Sequence, residues 1–246
     1  MASSSNKTSQ LSELERQIAA AKRQKHAIEC RENFLQFVQF TMPDPEDPED
    51  LSLSLFKDAK HHRAIAKALE KTEKGHIPRL IVTLPPRHGK SELISRRFIP
   101  WLLGKDSYRN VIFATYNEEF AGDFGADARA IMESPQYKQV FPGFTFRKGG
   151  ASKSRVQAGP GGMAVFVGRG GSITGRGGDF VIIDDPIKDA MEAQSPTLRE
   201  NLWTWFTQVL MTRLMTSQAS IVIVQTRWHE DDIVGRLTDP MNPHFT

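Results

Sequence analysis

The sequence predicts a wound α/β domain with a largely parallel central sheet, and three observations carry that prediction. Five short runs rich in valine and isoleucine are apolar on both faces, as buried parallel strands are: RLIVTL (79–84), NVIFAT (110–115), MAVFV (163–167), DFVIID (179–184) and ASIVIVQT (219–226). Amphipathic segments separate several of them. The first run leads into LPPRHGKSEL, Leu84 to Leu93, whose end is that of a phosphate-binding P-loop.

Taken in chain order, residues 9–40 read as helical, with Leu14, Ile18 and Ala21 and then Phe34, Phe37 and Val38 at helical spacing. PDPEDPED, Pro43 to Asp50, is acidic and proline-punctuated, so it reads as an extended linker. Residues 1–50 are therefore expected to form a helical N-terminal arm and linker, and 51–246 the α/β domain. Asp58 to Lys74 is a helix that Gly75 and Pro78 terminate. Helices are expected over Ser91–Leu103 and Asn117–Ser134. A further one follows Ser195-Pro196, a cap and first turn, with Leu198, Leu202, Trp205, Phe206 and Val209 on one face. Trp203 and Trp205 read as core or interface rather than a base-stacking platform.

The bulk composition narrows the classes. With 246 residues, 39% hydrophobic and 25% charged, the chain can bury a sizeable core. Its one cysteine, Cys30, forbids an internal disulfide and fits a reducing interior. No apolar run approaches the roughly eighteen residues of a membrane span. The polar start MASSSNKTSQ lacks the apolar core of a signal peptide. A net charge of +3 and a pI near 9.0 mildly favour a polyanionic partner. Between Phe141 and Gly178 stand six basic residues and no acidic one: Arg147, Lys148, Lys153, Arg155, Arg169 and Arg176. This glycine-rich stretch reads either as a solvated flexible loop or as a mobile electropositive surface for the phosphates of a nucleotide or a nucleic acid, with Arg147, Lys148, Lys153 and Arg155 the favoured contacts if the partner is DNA.

The phosphate loop departs from G-x-x-x-x-G-K-[ST] at its start, where Leu84 replaces the glycine. A strand before it and a helix after it nevertheless supply the right context, because backbone N–H groups and the helix N-terminus then face the phosphates. Pro86, Arg87, His88, Gly89, Lys90, Ser91 and Glu92 are the expected nucleotide-contacting run. Lys90 reaches the β- and γ-phosphates of ATP and the Ser91 hydroxyl holds Mg²⁺. Phe180 to Ile183 end in Asp184, an expected Mg²⁺ holder, and Asp185, which would polarise the attacking water. His61 and His62 precede the loop where a polar side chain contacts adenine in several ATPase families, and His62 is the candidate. Arg87, within the loop, and Arg176, in the glycine-rich stretch before Asp184, are the two candidate arginines to meet transition-state charge, Arg87 as a cis phosphate sensor and Arg176, if the chain assembles into a ring, as a finger acting in trans. GRGGSITGRGG, Gly168 to Gly178, fails as a dinucleotide fingerprint because Ile173 occupies the third glycine position. TRWHEDDIVGRL is adjacent-residue acidic rather than ligand-spaced, and reads as a strand end running into a capped helix.

PPRHGKSEL, GRGGSITGRGGDFVIIDDPIKDAMEA and TRWHEDDIVGRL together resemble, in order, the three ATPase signatures of the large terminase subunits of tailed bacteriophages. HHRAIAKALE and PRLIVTLPPRHGKS add to the match, which covers roughly residues 56 to 240. The resemblance implies a P-loop NTPase fold of the ASCE type, a mostly parallel sheet flanked by helices. It implies an Mg²⁺-dependent ATPase that drives double-stranded DNA into a procapsid. It assigns Lys90 and Ser91 to the Walker A loop, Asp184 and Asp185 to Walker B, and Gln225-Thr226 to the motif coupling hydrolysis to movement. Asp185 stands where many relatives have glutamate. The portal protein and the small terminase subunit are implied partners, a homo-oligomeric ring the implied assembly, and the cytoplasm of the infected bacterium the implied location, transiently at the procapsid portal. The family's RNase H-like nuclease half should begin where NPHFT ends the chain, so nuclease activity is not expected of it. On the P-loop and the aspartate pair alone, a helicase-like nucleic-acid-dependent ATPase stays open. So does a DNA-binding or ring-forming module that has lost catalysis.

Overall fold

The computed structural model describes residues 2–173 and 175–241; Met1, Thr174 of the glycine-rich segment and the terminal NPHFT lie outside the described residues. The strands in chain order are β1 (Arg79–Thr83), β2 (Asn110–Thr115), β3 (Phe146–Ser152), β4 (Arg155–Ala158), β5 (Met163–Gly168), β6 (Phe180–Asp184) and β7 (Ser220–Gln225). They form one sheet in the order β1-β7-β6-β2-β5-β4-β3. The five expected strands are its parallel part, and all five point their C-terminal ends to one rim. Strand β7 lies between β1 and β6, with Thr83 beside Gln225 and Asp184 beside Val224.

Alternation sorts the strand residues onto two faces. Val111, Phe113, Phe180 and Ile182 pack on one side with Phe98, Trp101 and Phe124. Ile112, Val181, Ile183 and Ile223 pack on the other with Leu202, Phe206 and Ile233. Helices α1 (Ala2–Glu29), α2 (Phe34–Phe40), α3 (Lys60–Glu73), α4 (Ile99–Lys105), α5 (Glu118–Glu133) and α6 (Pro135–Val140) precede β3 in the chain. Helices α7 (Ala190–Ala193) and α8 (Pro196–Trp205) follow β6, and α9 (Ile233–Thr238) follows β7.

Three expectations need correcting. The segment 9–40 is two helices, because the Asn33 side chain accepts the Gln36 N–H at 3.0 Å and starts α2 anew. Its second half is no free arm: Phe34 lies 5.4 Å from Phe98 and 5.2 Å from Trp101, ring to ring, and Trp101 Nε1 donates to Cys30 O at 3.0 Å. The first part of the basic stretch is not a loop. Residues 146–158 form an antiparallel hairpin that extends the sheet, β4 pairing with β5 and β3 closing the edge. Gly125 on α5 seats its turn, since a Cβ there would stand 1.9 Å from Lys153 O. The helix expected from Ser91 opens as a wide π turn, Glu92–Phe98, before continuing as α4.

Candidate functional site

The site lies on the rim where β1, β7, β6 and β2 end. Strand β1 delivers the loop Leu84–Ser91, which turns back through positive φ at Arg87 (63°) and Gly89 (74°). Gly89 is required twice over, by that φ and by a Cβ that would come 2.6 Å from His62 Nε2. His62 is buried, and both its ring nitrogens are engaged. Nδ1 accepts the Ala59 N–H at 3.0 Å, so Nε2 carries the proton and donates to His88 O at 3.0 Å. The imidazole braces the loop. No ring nitrogen is left to read a base, which is not the geometry expected of an adenine contact. The His61 ring lies against it, tilted by 58° with 4.0 Å between centroids.

Lys90 is 4% exposed. Its ammonium lies 3.0 and 2.7 Å from the two carboxylate oxygens of Asp185 and donates to Thr226 Oγ1 at 2.7 Å. Asp185 holds an uncommon φ of 39°, fixed from both sides. Its N–H donates to Val224 O at 2.9 Å, and its Oδ1 accepts the Thr226 N–H at 2.7 Å. The loop, the end of β6 and the end of β7 are thereby tied into one polar knot.

Asp184 is 1% exposed. Ser95 Oγ, presented by the π turn, donates to its Oδ2 at 2.5 Å, while Oδ1 is buried with no hydrogen-bond partner among the described residues. Burial above all, then the neighbouring Asp185, pushes its carboxyl up to about 6; the Ser95 and Ser91 hydroxyls and Lys90 pull the other way. Ser91 thus acts on the carboxylate without satisfying Oδ1. A buried carboxylate oxygen without a donor, beside a serine hydroxyl, fits a small hard cation such as Mg²⁺. Gln225 is also buried, and its Nε2 has no partner among the described residues. It shares with Asp185, Thr226 and Asp232 a cavity of about 10 Å³, room for about one water.

Other expected residues stand apart. Arg87 is exposed, with no partner among the described residues. Pro86 is exposed and receives His88 Nδ1 at 2.9 Å. Glu92 faces its own helix, paired with Arg96 at 3.3 Å and Arg97 at 3.1 Å. Arg176 is not beside its own Asp184. Gly178 donates to Arg213 O and Asp179 to Asn110 O, contacts that fix this segment at the opposite rim, about 16 Å away along β6. Arg147, Lys148 and Lys153 are exposed and Arg155 half-buried on the edge hairpin, none paired among the described residues.

The HEDD stretch is a structural corner. Asp231 binds Arg236 at 2.7 Å and Arg199 at 3.0 Å, which hold its carboxyl down at about 2. Asp232 accepts the Gly235 N–H at 2.8 Å and so caps α9. Trp205 is buried, and Trp203 stacks on Phe206 at 5.8 Å.

Three residues of the rim carry too little signal in the sequence to be singled out there. Ser95 is only a serine one turn beyond Ser91, and Thr115 only a polar end to an apolar strand. Arg169 is one of six basic residues, with nothing in the pattern to give it a role. In the fold its N–H donates to Thr115 O at 2.7 Å, and its guanidinium binds Pro186 O at 3.0 Å and Glu192 at 3.1 and 3.2 Å, one residue from Asp185.

The family described as "Terminase large subunit, T4likevirus-type, N-terminal" matches residues 81–243, well over half of the chain. The crystal structure of the HK97 bacteriophage large terminase is similar in fold, with a TM-score of 0.53 at 12% identity. The match covers 86% of this chain and 40% of that one, so the chain spans well under half of its length. No curated protein matches the sequence.

Proposed function

The chain belongs to the terminase large-subunit family, and from that premise we propose that it is an ATP-hydrolysing motor domain that drives double-stranded viral DNA into a procapsid. The observation that supports this reading best is the knot of Lys90, Asp185 and Thr226 beside the unsatisfied Asp184, at the rim where the phosphate loop and three strand ends meet.

In this reading the loop 84–91 receives the triphosphate of ATP. Backbone N–H groups face it, and Lys90 moves from Asp185 to the phosphates. Ser91 and Asp184 would hold Mg²⁺, which supplies charge neutralisation at the β- and γ-oxygens. Asp185, released by Lys90, orients a water and takes its proton as the water oxygen bonds to the γ-phosphorus and the bridging oxygen leaves with ADP. Gln225 and Thr226 report that change to β7. Arg87 meets phosphate charge in cis. Arg176, at the far rim of its own subunit, serves a neighbouring copy in a ring, since it is too remote from its own Asp184. The hairpin cations grip the DNA backbone without reading bases. Work of this kind belongs in the infected host's cytoplasm, at the portal, with the small terminase subunit as a further partner. Among the described residues no helix is long and apolar enough to cross a membrane.

The test is ATP turnover in Lys90→Ala and Asp184→Ala. Each should lose Mg²⁺-dependent hydrolysis by at least about 10²-fold with the fold intact by circular dichroism, because charge developing on the γ-phosphate goes uncompensated. Turnover near the wild-type rate in either variant sinks the assignment.

A further inference from the structure

Thr115 ends β2, is 1% exposed, and its hydroxyl has no hydrogen-bond partner among the described residues. Buried hydroxyls are ordinarily satisfied, so an orphan at a particular place asks for an explanation. The last paired residues of β2 and β6 are Ala114 and Ile183, which sets Thr115 beside Asp184 one step further along. Alternation then fixes the face. Val111 and Phe113 precede Thr115 on the same side that Phe180 and Ile182 precede Asp184, the side covered by Leu93, Ile94 and Phe98 of the π turn. Thr115 Oγ1 and Asp184 Oδ1 are therefore two unsatisfied oxygens on adjacent strands, same face, same rim. A lone packing role would be served as well by valine, which has the same shape and nothing to desolvate.

We propose that Thr115 is a positioning residue of the cation site: with Ser91 and Asp184, its hydroxyl takes its missing hydrogen bond from the hydrated divalent cation that accompanies the nucleotide. This rests on the reading of the rim as an ATP site. Outer groups of this kind orient a metal's ligands, and their loss commonly weakens metal binding by about 10–100-fold.

The experiment measures binding of a slowly hydrolysed ATP analogue to the whole chain, in Mg²⁺ and in EDTA, alongside thermal melting without nucleotide. Thr115→Val should melt at or above the wild-type temperature and bind the analogue normally in EDTA. It should lose about 10-fold of the enhancement that Mg²⁺ gives. Thr115→Ser should keep that enhancement. Should the valine variant fail to fold, Thr115→Ala against Thr115→Ser reads the same difference. An undiminished Mg²⁺ enhancement in the valine or alanine variant overturns the proposal, as does an equal loss with and without Mg²⁺. Lys90→Ala separates the two levels. If it binds the analogue like wild type, the ATP site itself is misread and the proposal falls with it. If it loses binding while Thr115→Val keeps the full enhancement, only the role of Thr115 falls.

Discussion

Lys90 and Asp185 form an ion pair of 2.7 Å on the rim of the sheet, although the proposed chemistry requires the lysine on phosphate and the aspartate on water. The pair must part before either can act. Asp185→Asn should therefore slow hydrolysis by about 10²–10⁴-fold yet bind ATP about 10-fold more tightly, the competing charged hydrogen bond being gone. Equilibrium binding of a fluorescent ATP analogue checks this. Weaker binding would make Asp185 a cation holder instead.

Asp184 gives a pH signature in the cation-free protein. Its carboxyl is pushed up from 3.8 to about 6, chiefly by burial, so the folded state binds this proton more tightly than the unfolded chain. The charged form therefore destabilises the fold. That cost is absent below pH 3.8, grows as the pH rises to about 6, and is constant above. Asp184→Asn should be more stable than wild type by roughly 3 kcal/mol at pH 8 and no more stable at pH 3.5. Urea unfolding in EDTA at the two values is the measurement, and a pH-independent difference contradicts it.

Two neighbouring glycines of α5 should respond with opposite signs. A Cβ at Gly125 meets Lys153 O at 1.9 Å, so Gly125→Ala must lift the hairpin off the helix at a cost of about 1–3 kcal/mol. A Cβ at Gly122 meets only Lys153 Cβ at 3.6 Å, and Gly122→Ala should gain about 0.5–1 kcal/mol from helix propensity. Melting of the two variants gives the comparison.

The hairpin carries a test of the DNA reading. Replacing Arg147, Lys148, Lys153 and Arg155 by glutamine should weaken binding to any duplex alike. It should also flatten the plot of log affinity against log salt by about 0.9 for each phosphate no longer neutralised. An unchanged slope moves the DNA-binding surface elsewhere on the molecule.

Position on the far rim sharpens the test for Arg176. Arg176→Ala and Asp184→Ala subunits, each inactive alone, should regain ATP turnover when mixed under assembling conditions, because an intact arginine then faces an intact Asp184. No recovery in mixed rings of demonstrated composition leaves Arg87 as the charge that meets the transition state.

How much of this was legible follows from what kind of signal each part leaves. The five parallel strands announced themselves because strands buried on both faces are apolar without interruption, as Phe180 to Ile183 are. The GKS loop and the aspartate pair were visible because each sits at a strand end. The hairpin was not, since FRKGGAS has no apolar alternation; its bulged register at Gly149 and its docking on Gly125 supply what the pattern lacks. Asn33 looks like any polar residue until its side chain caps α2. The remoteness of Arg176 and the nearness of Thr115 to Asp184 depend on strand direction and register, which no single segment encodes.

The order of the strands has a mechanical corollary. The phosphate loop hangs from β1 at one border of the sheet and the basic hairpin forms the other, roughly 29 Å away at about 4.8 Å per strand. A tug on the hairpin across the sheet is borne by the interstrand hydrogen bonds in series, like the rungs of a zipper. A tug along the strands loads those of one border together, in shear. Such a sheet is stiff in one direction and compliant in the other, so which way the hairpin is pulled decides how much of the strain arrives at Lys90.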